Sequence, residues 1–167
     1  MPCDSAMVTN VYTVRPDMNV ADALEYLQTH NIRSAPVVDE ENRMVGLFCL
    51  SVLLKNLLPV SVTMEEGLQK LNFLIGAGPG IAKRLRKVKF QTVADVMRTD
   101  AVVLHVSTPI WEVLRLVVKY GSPLPVVDEK DNKLLGIISE QSCLDDLHNI
   151  LKEVEEEERL EQQTQTS

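Results

Sequence analysis

The chain carries one stretch of sequence twice, and a repeat constrains a fold more tightly than any composition does. Residues 34–48 read SAPVVDEENRMVGLF, and residues 123–138 read PLPVVDEKDNKLLGII. Upstream, TVRPDMNVADALEYL (13–27) is matched by HVSTPIWEVLRLVVKY (105–120). The offset between the copies stays at 89 or 90 residues and moves by one only in short loops. Two copies of one unit are therefore expected, and 167 residues suffice for two small halves.

Each copy has the same grammar. A β-rich run opens it, VYTV (11–14) or AVVLHV (101–106). A helix follows: Val20, Ala23, Leu24 and Leu27 fall at i, i+3, i+4 and i+7, as do Ile110, Val113, Leu114 and Val117. Asn19 is the expected N-cap of the first helix, and Thr108, with Pro109 at the first helical position, caps the second. Two strands come next, 35–39 with 45–50 and 124–128 with 134–139, joined by polar turns. A helix closes each copy, from about Ser51 and from about Ser142. The unit is β-α-β-β-α, twice.

Between the copies, Thr63 and Glu66 form a capping box ahead of a Met64, Leu68, Leu71 and Ile75 stripe. GAGPG (76–80) then resembles a dinucleotide fingerprint. The third glycine is out of register, since position 81 is Ile81, and a helix precedes it rather than a strand. It reads as the stop of that helix, blocked by Pro79, followed by a short basic linker in which Lys83 and Arg84 are candidates to approach a ligand's phosphates. At the C-terminus, Leu144, Leu147, Leu151 and Val154 form a seam that docks on the body or on a partner helix.

The net charge of −7 is unevenly spread: residues 152–161 carry −4 and residues 81–98 carry +5. An acidic total argues against general nucleic-acid or anionic-membrane binding. No stretch reaches the length of a membrane span, and the N-terminus lacks the pattern of a secretory signal. Cys3, Cys49 and Cys143 have no CxxC spacing and fit free thiols in a reducing cytoplasm. Cys49 is expected to behave as a small buried hydrophobe. His30, His105 and His148 have no acidic partner at ligand spacing and are expected at the surface or at strand ends. Trp111 is expected to pack at a rim or dimer interface. No catalytic constellation or metal set is found, so an enzyme is not expected.

The doubled PVVDE, with a glycine after the turn and two apolar residues before a hydroxyl position, resembles the CBS domain. Such domains usually occur as tandem pairs (Bateman modules). The resemblance divides the chain into repeat 1 (5–58), a helical and basic connector (59–93), repeat 2 (94–150) and an acidic helix and tail (151–167). It implies an α+β fold of two repeats packed through their sheets about a pseudo-twofold axis, and a homodimer. It also implies no chemistry of its own, no required cofactor and a regulated partner protein. The implied ligand is adenosine-containing: AMP, ADP, ATP, S-adenosylmethionine or a dinucleotide, held in a cleft between repeats. The competing expectation is a dimerisation or scaffolding module without a ligand.

Ligand-binding members of that family continue as G-h-h-[Ser/Thr]-x-x-Asp, with the hydroxyl facing phosphates and the carboxylate holding the ribose. Here Cys49 and Val52 stand at those positions in repeat 1, and Ser139 and Ser142 in repeat 2. Both ribose carboxylates are thus missing. The main chain around Arg33, Ser34, Ala35 and Pro36, and around Ser122, Pro123, Leu124 and Pro125, remains a candidate adenine-edge reader. The cleft bearing Ser139 and Ser142 is the favoured one, and the first half is expected to be vacant or structural.

Overall fold

The computed structural model describes residues 3–58 and 78–165. The elements in chain order are a 3-10 turn (Cys3–Ala6), α1 (Val20–Thr29), β1 (Ser34–Val38), β2 (Met44–Cys49), α2 (Leu50–Leu57), α3 (Gly78–Lys89) and α4 (Val93–Val96). They continue with β3 (Leu104–His105), α5 (Ile110–Tyr120), β4 (Leu124–Val127), β5 (Leu134–Ile138) and α6 (Glu140–Gln165). The expected mixed helix and strand architecture, doubled, is what forms. The chain divides into two compact units, Tyr12–Ala101 and the residues up to Val11 with those from Val102 onward.

In the Tyr12–Ala101 unit, local chemistry sets the elements. Asn19 is extended and its side chain accepts the Ala21 amide at 2.9 Å, so α1 starts where the sequence places it. Val20, Ala23 and Leu27 are buried on one stripe, against Val37 and Phe48 of the sheet. The helix ends ahead of Asn31, whose φ of 51° lies in the left-handed region that asparagine tolerates. β1 and β2 are antiparallel from Ser34↔Cys49 to Val38↔Met44, with a register irregularity at Val37/Val38. The turn between them is held by Asp39, whose Oδ1 accepts the Glu41 and Arg43 amides at 3.0 and 2.9 Å, and by Asn42 at φ 62°. Those hydrogen bonds hold the Asp39 carboxyl below its ordinary range, the Arg43 amide contributing most.

The other unit repeats this pattern. β4 and β5 are antiparallel from Leu124↔Ile138 to Val127↔Leu134, with the irregularity again one residue from the turn. Asn132 takes φ 59° in that turn. β3 lies parallel to β4, Leu104 beside Val126. The start of α5 differs from expectation. Pro109 is extended (ψ 145°) and is itself the cap, while the Thr108 hydroxyl accepts the His105 amide at 3.1 Å. Thr108 therefore ties off the strand before it instead of the helix after it.

One further expectation is corrected. Gly78, Pro79 and Gly80 are the first turn of α3, not a stop, and the basic linker is a 12-residue helix. A proline fits there because first-turn amides have no intrahelical partner. α3 is anchored by buried Val88, with Ile81 and Leu85 partly covered. Gly76 and the Thr63–Ile75 features lie outside the described residues. At the C-terminus, α6 turns Cys143 and Asp146 inward; of the seam, Leu147 is half-buried while Leu144, Leu151 and Val154 are exposed. Trp111 is 65% exposed.

The outer edges of β2 and β5 are not left open. Leu47 exchanges both backbone hydrogen bonds with Arg98, at 2.8 and 2.9 Å, and Ile137 does the same with Val8. Each pairing seals a sheet edge that otherwise invites intermolecular pairing. It also explains the glycine in each strand. A Cβ on Gly46 would lie 2.6 Å from Met97 Sδ, and one on Gly136 would lie 2.6 Å from the Val8 carbonyl oxygen. Gly136→Ala is expected to lower unfolding free energy by about 1–3 kcal/mol, because backbone cannot yield as a side chain does. Gly46→Ala is expected to cost less, since the backbone oxygen nearest its Cβ, that of Arg98, lies farther off at 3.0 Å. Denaturant melts of the two variants check the order.

Candidate functional site: the strand-to-helix corners

The corner of the first repeat is where β2 runs into α2. Cys49 caps α2 in extended conformation without a side-chain cap bond, and its Sγ sits 3.1 Å from Ser51 Oγ. It is half-buried, not the buried hydrophobe expected; the buried thiols are Cys3 and Cys143. Burial raises both of their pKa values, and they are the unreactive pair. The Leu50 amide donates to the Arg33 carbonyl at 3.1 Å, and Ser34 pairs with Cys49. Arg33, Ser34 and Cys49 are thus brought together. Ala35 and Pro36, one step inward, are buried in the sheet.

Beside this corner is an open cavity of about 720 Å³, lined among others by Ser51, Val52, Lys55, Arg98 and Asp100. Arg98 and Asp100 arrive there because the Leu47–Arg98 backbone pairing delivers them. Arg98 Nε donates to Asp100 Oδ1 at 2.9 Å, and the guanidinium holds the Asp100 carboxyl below its ordinary range. Asn56 Nδ2, also on the wall, donates to the Val52 carbonyl at 2.8 Å. Sequence reasoning missed Lys55, Arg98, Thr99 and Asp100. A signal for the last three was present: Met97-Arg98-Thr99-Asp100 stands 90 residues after Met7-Val8-Thr9-Asn10, near the start of each repeat.

The corner of the second repeat has the same backbone and different chemistry. Ser139 Oγ accepts the Ser142 amide at 3.1 Å, and Ser142 Oγ accepts the Ser139 amide at 2.9 Å. Ser142 Oγ also lies 3.1 Å from the Ser139 carbonyl and donates to it. The two hydroxyls therefore close a reciprocal cap on α6. Glu140 stands in the first turn, Asp145 accepts Gln141 Nε2 at 2.8 Å, and Asp146, only 8% exposed, accepts the Ser5 hydroxyl at 3.0 Å. Ser122 is exposed and joined to Pro123 by a cis peptide bond, while Leu124 and Pro125 are buried in β4. Position for position, Lys55 is matched by Asp145 and Arg98 by Val8. The first corner carries Lys55 and Arg98 together with Asp95 and Asp100, and the second carries Glu140 and Asp145.

No group of three or more His, Cys, Asp or Glu side chains is placed to hold a metal among the described residues. No described helix is long and apolar enough to cross a membrane. His30 stacks on Tyr12 with ring centroids 4.0 Å apart, and His105 Nδ1 lies 3.4 Å from the Val127 carbonyl.

The CBS domain model matches residues 3–59 and 93–149, and the chain belongs to the CBS-domain family as a tandem pair. It is 28% identical over 142 residues to an inosine-5'-monophosphate dehydrogenase of Methanocaldococcus jannaschii, covering 84% of this chain and only 22% of that enzyme. A CBS domain-containing protein of Dictyostelium discoideum is 26% identical over 149 residues, covering 89% of this chain and 92% of the relative. Among solved structures, the CBS-pair protein CBSX2 of Arabidopsis thaliana superposes with a TM-score of 0.67 at 25% identity, over 90% of this chain and 96% of its own. A second CBSX2 structure, a complex with AMP, superposes with a TM-score of 0.64 at 26% identity, over 89% and 97%.

The Ser139–Ser142 cap makes a direct prediction. Ser142→Ala removes the acceptor of the Ser139 amide and is expected to cost about 1 kcal/mol of stability, the usual worth of a capping side chain. Urea titration of the variant against the parent measures it.

Proposed function

We propose that the chain is a regulatory module that senses an adenosine-containing ligand and controls a partner protein. The observation that carries the reading is the cavity of about 720 Å³ at the first-repeat corner, where Lys55 and Arg98 stand with Asp95 and Asp100. Its volume is in the range of small-molecule sites. A nucleotide's phosphates need positive charge, and Lys55 and Arg98, the latter paired with Asp100, are the cations on that wall. At the second corner, Glu140 and Asp145 repel phosphate, and the serine hydroxyls are engaged in the helix cap. The ligand then sits at the first corner and not beside Ser139, with Asp100 bringing to the cavity wall the carboxylate that Val52 lacks. The AMP complex of CBSX2 supports an adenine nucleotide as the class of ligand. Three free thiols support a reducing compartment such as the cytoplasm.

A ligand-free dimerisation module is the second reading, favoured by Val52 and Ser142 at the ribose-carboxylate positions. Thermal shift with AMP, ADP, ATP, S-adenosylmethionine and NAD, with and without magnesium, separates the two. A ligand present at 100 times its Kd is expected to add about 2.7 kcal/mol of stability. Lys55→Glu and Arg98→Glu are each expected to weaken binding by roughly 10-fold or more, the worth of one charge-assisted hydrogen bond. Ser139→Ala is expected to leave binding unchanged. No stabilisation by any of the five at millimolar concentration establishes the ligand-free reading instead. Weakening by Ser139→Ala alone moves the site to the second repeat.

A further inference from the structure

Two helix faces are left uncovered, and they are complementary residue by residue. The first lines a groove of about 570 Å³ between the start of α1 and α3. On α3, its wall is Ala82, Leu85, Arg86 and Lys89, spaced i, i+3, i+4 and i+7, so that two apolar side chains are followed by two cations. Phe90, 80% exposed, extends the apolar rim. Neither Arg86 nor Lys89 forms an ion pair among the described residues. Asp22 of α1 is the single acidic residue on the lining.

The second face belongs to α6. From Leu151 to Thr164 every side chain is exposed, over 14 residues or roughly 20 Å of helix. Leu151, Val154, Glu155 and Glu158 fall at i, i+3, i+4 and i+7 as well. Here two apolar side chains are followed by two anions. Laid parallel, the two stripes set Leu151 and Val154 against Ala82 and Leu85, and Glu155 and Glu158 against Arg86 and Lys89. Two α6 ends pressed together would instead crowd the glutamates of residues 153–161 on themselves. Among the described residues neither face is covered, although leaving half-exposed leucine and valine on a free helix gains nothing.

We propose that the acidic end of α6 from one copy docks in the α1–α3 groove of a second copy. Each chain holds one such end and one such groove, and an exchange of ends between two copies uses both and leaves neither free. The mode is an amphipathic helix laid in a groove, with apolar contact supplying adhesion and the charge pairs setting direction. The groove residues are separate from the Lys55–Arg98 corner, so this assembly stands whether or not a nucleotide binds there.

Light scattering and sedimentation of the full chain test it. A dimer is expected at 50 mM salt, with a dissociation constant that rises about tenfold or more at 500 mM salt because the pairs are screened. Glu155→Lys/Glu158→Lys is expected to be monomeric under conditions where the parent is dimeric, and so is Arg86→Glu/Lys89→Glu. All four residues are exposed, and circular dichroism of each variant verifies the fold. Combining the four reversals in one chain is expected to restore the dimer. A parent that is monomeric at all concentrations, or a dimer that neither salt nor either reversal weakens, overturns the proposal.

Discussion

The pairing of Arg98 with Leu47, and of Val8 with Ile137, is the constraint on which the rest of the structure depends. Each two-residue bridge takes a segment distant in sequence and lays it along the open edge of a hairpin. The approach is so close that only glycine fits beneath, at Gly46 and Gly136. Buried residues at equivalent positions accompany each bridge: Val93 and Val96 in one unit, Cys3 and Ala6 in the other. All lie 90 residues apart, so the repeat extends to the segments that seal the edges. The same pairing carries Arg98 and Asp100 to the wall of the candidate site. Edge protection and site construction are one event in this chain.

The two repeats show how little of a site's chemistry resides in its backbone. In both corners a strand runs into a helix within two residues, and both hairpins turn through a left-handed asparagine. Yet one corner carries Lys55 and Arg98 with Asp95 and Asp100, and the other Glu140, Asp145 and Asp146. The second corner spends its hydroxyls on capping its own helix. The first leaves Cys49 against Ser51 and the helix amides without a side-chain cap. A phosphate finds cations at the first corner, beside Asp95 and Asp100, and is repelled by Glu140 and Asp145 at the second, whatever the likeness of the main chain.

Much of this was legible in residues alone, and what was not has identifiable causes. The Asn19 cap, the buried stripe of α1 and both hairpins follow from spacings within a few residues of one another. Thr108 misled because a hydroxyl before a proline suits a helix cap and a strand-end turn equally, and the nearby His105 amide took it. Gly78-Pro79-Gly80 misled because glycine and proline punctuate both ends of helices; the Ile81, Leu85 and Val88 stripe after it was the better guide. Cys49 was read from its apolar character, whereas its depth depends on what covers the corner.

The sequence by itself determined the duplication, the order of elements in each copy and the uneven charge along the chain. These rest on local periodicity, capping and turn chemistry, which act over a handful of residues. Only the tertiary structure decided that residues 3–8 pack with the second repeat's strands and residues 93–98 with the first's. It alone decided which charges meet at each corner. The physical reason is that those bridges are made by backbone amides and carbonyls, which every residue possesses. No side-chain pattern marks their partner; only the space left above a glycine does.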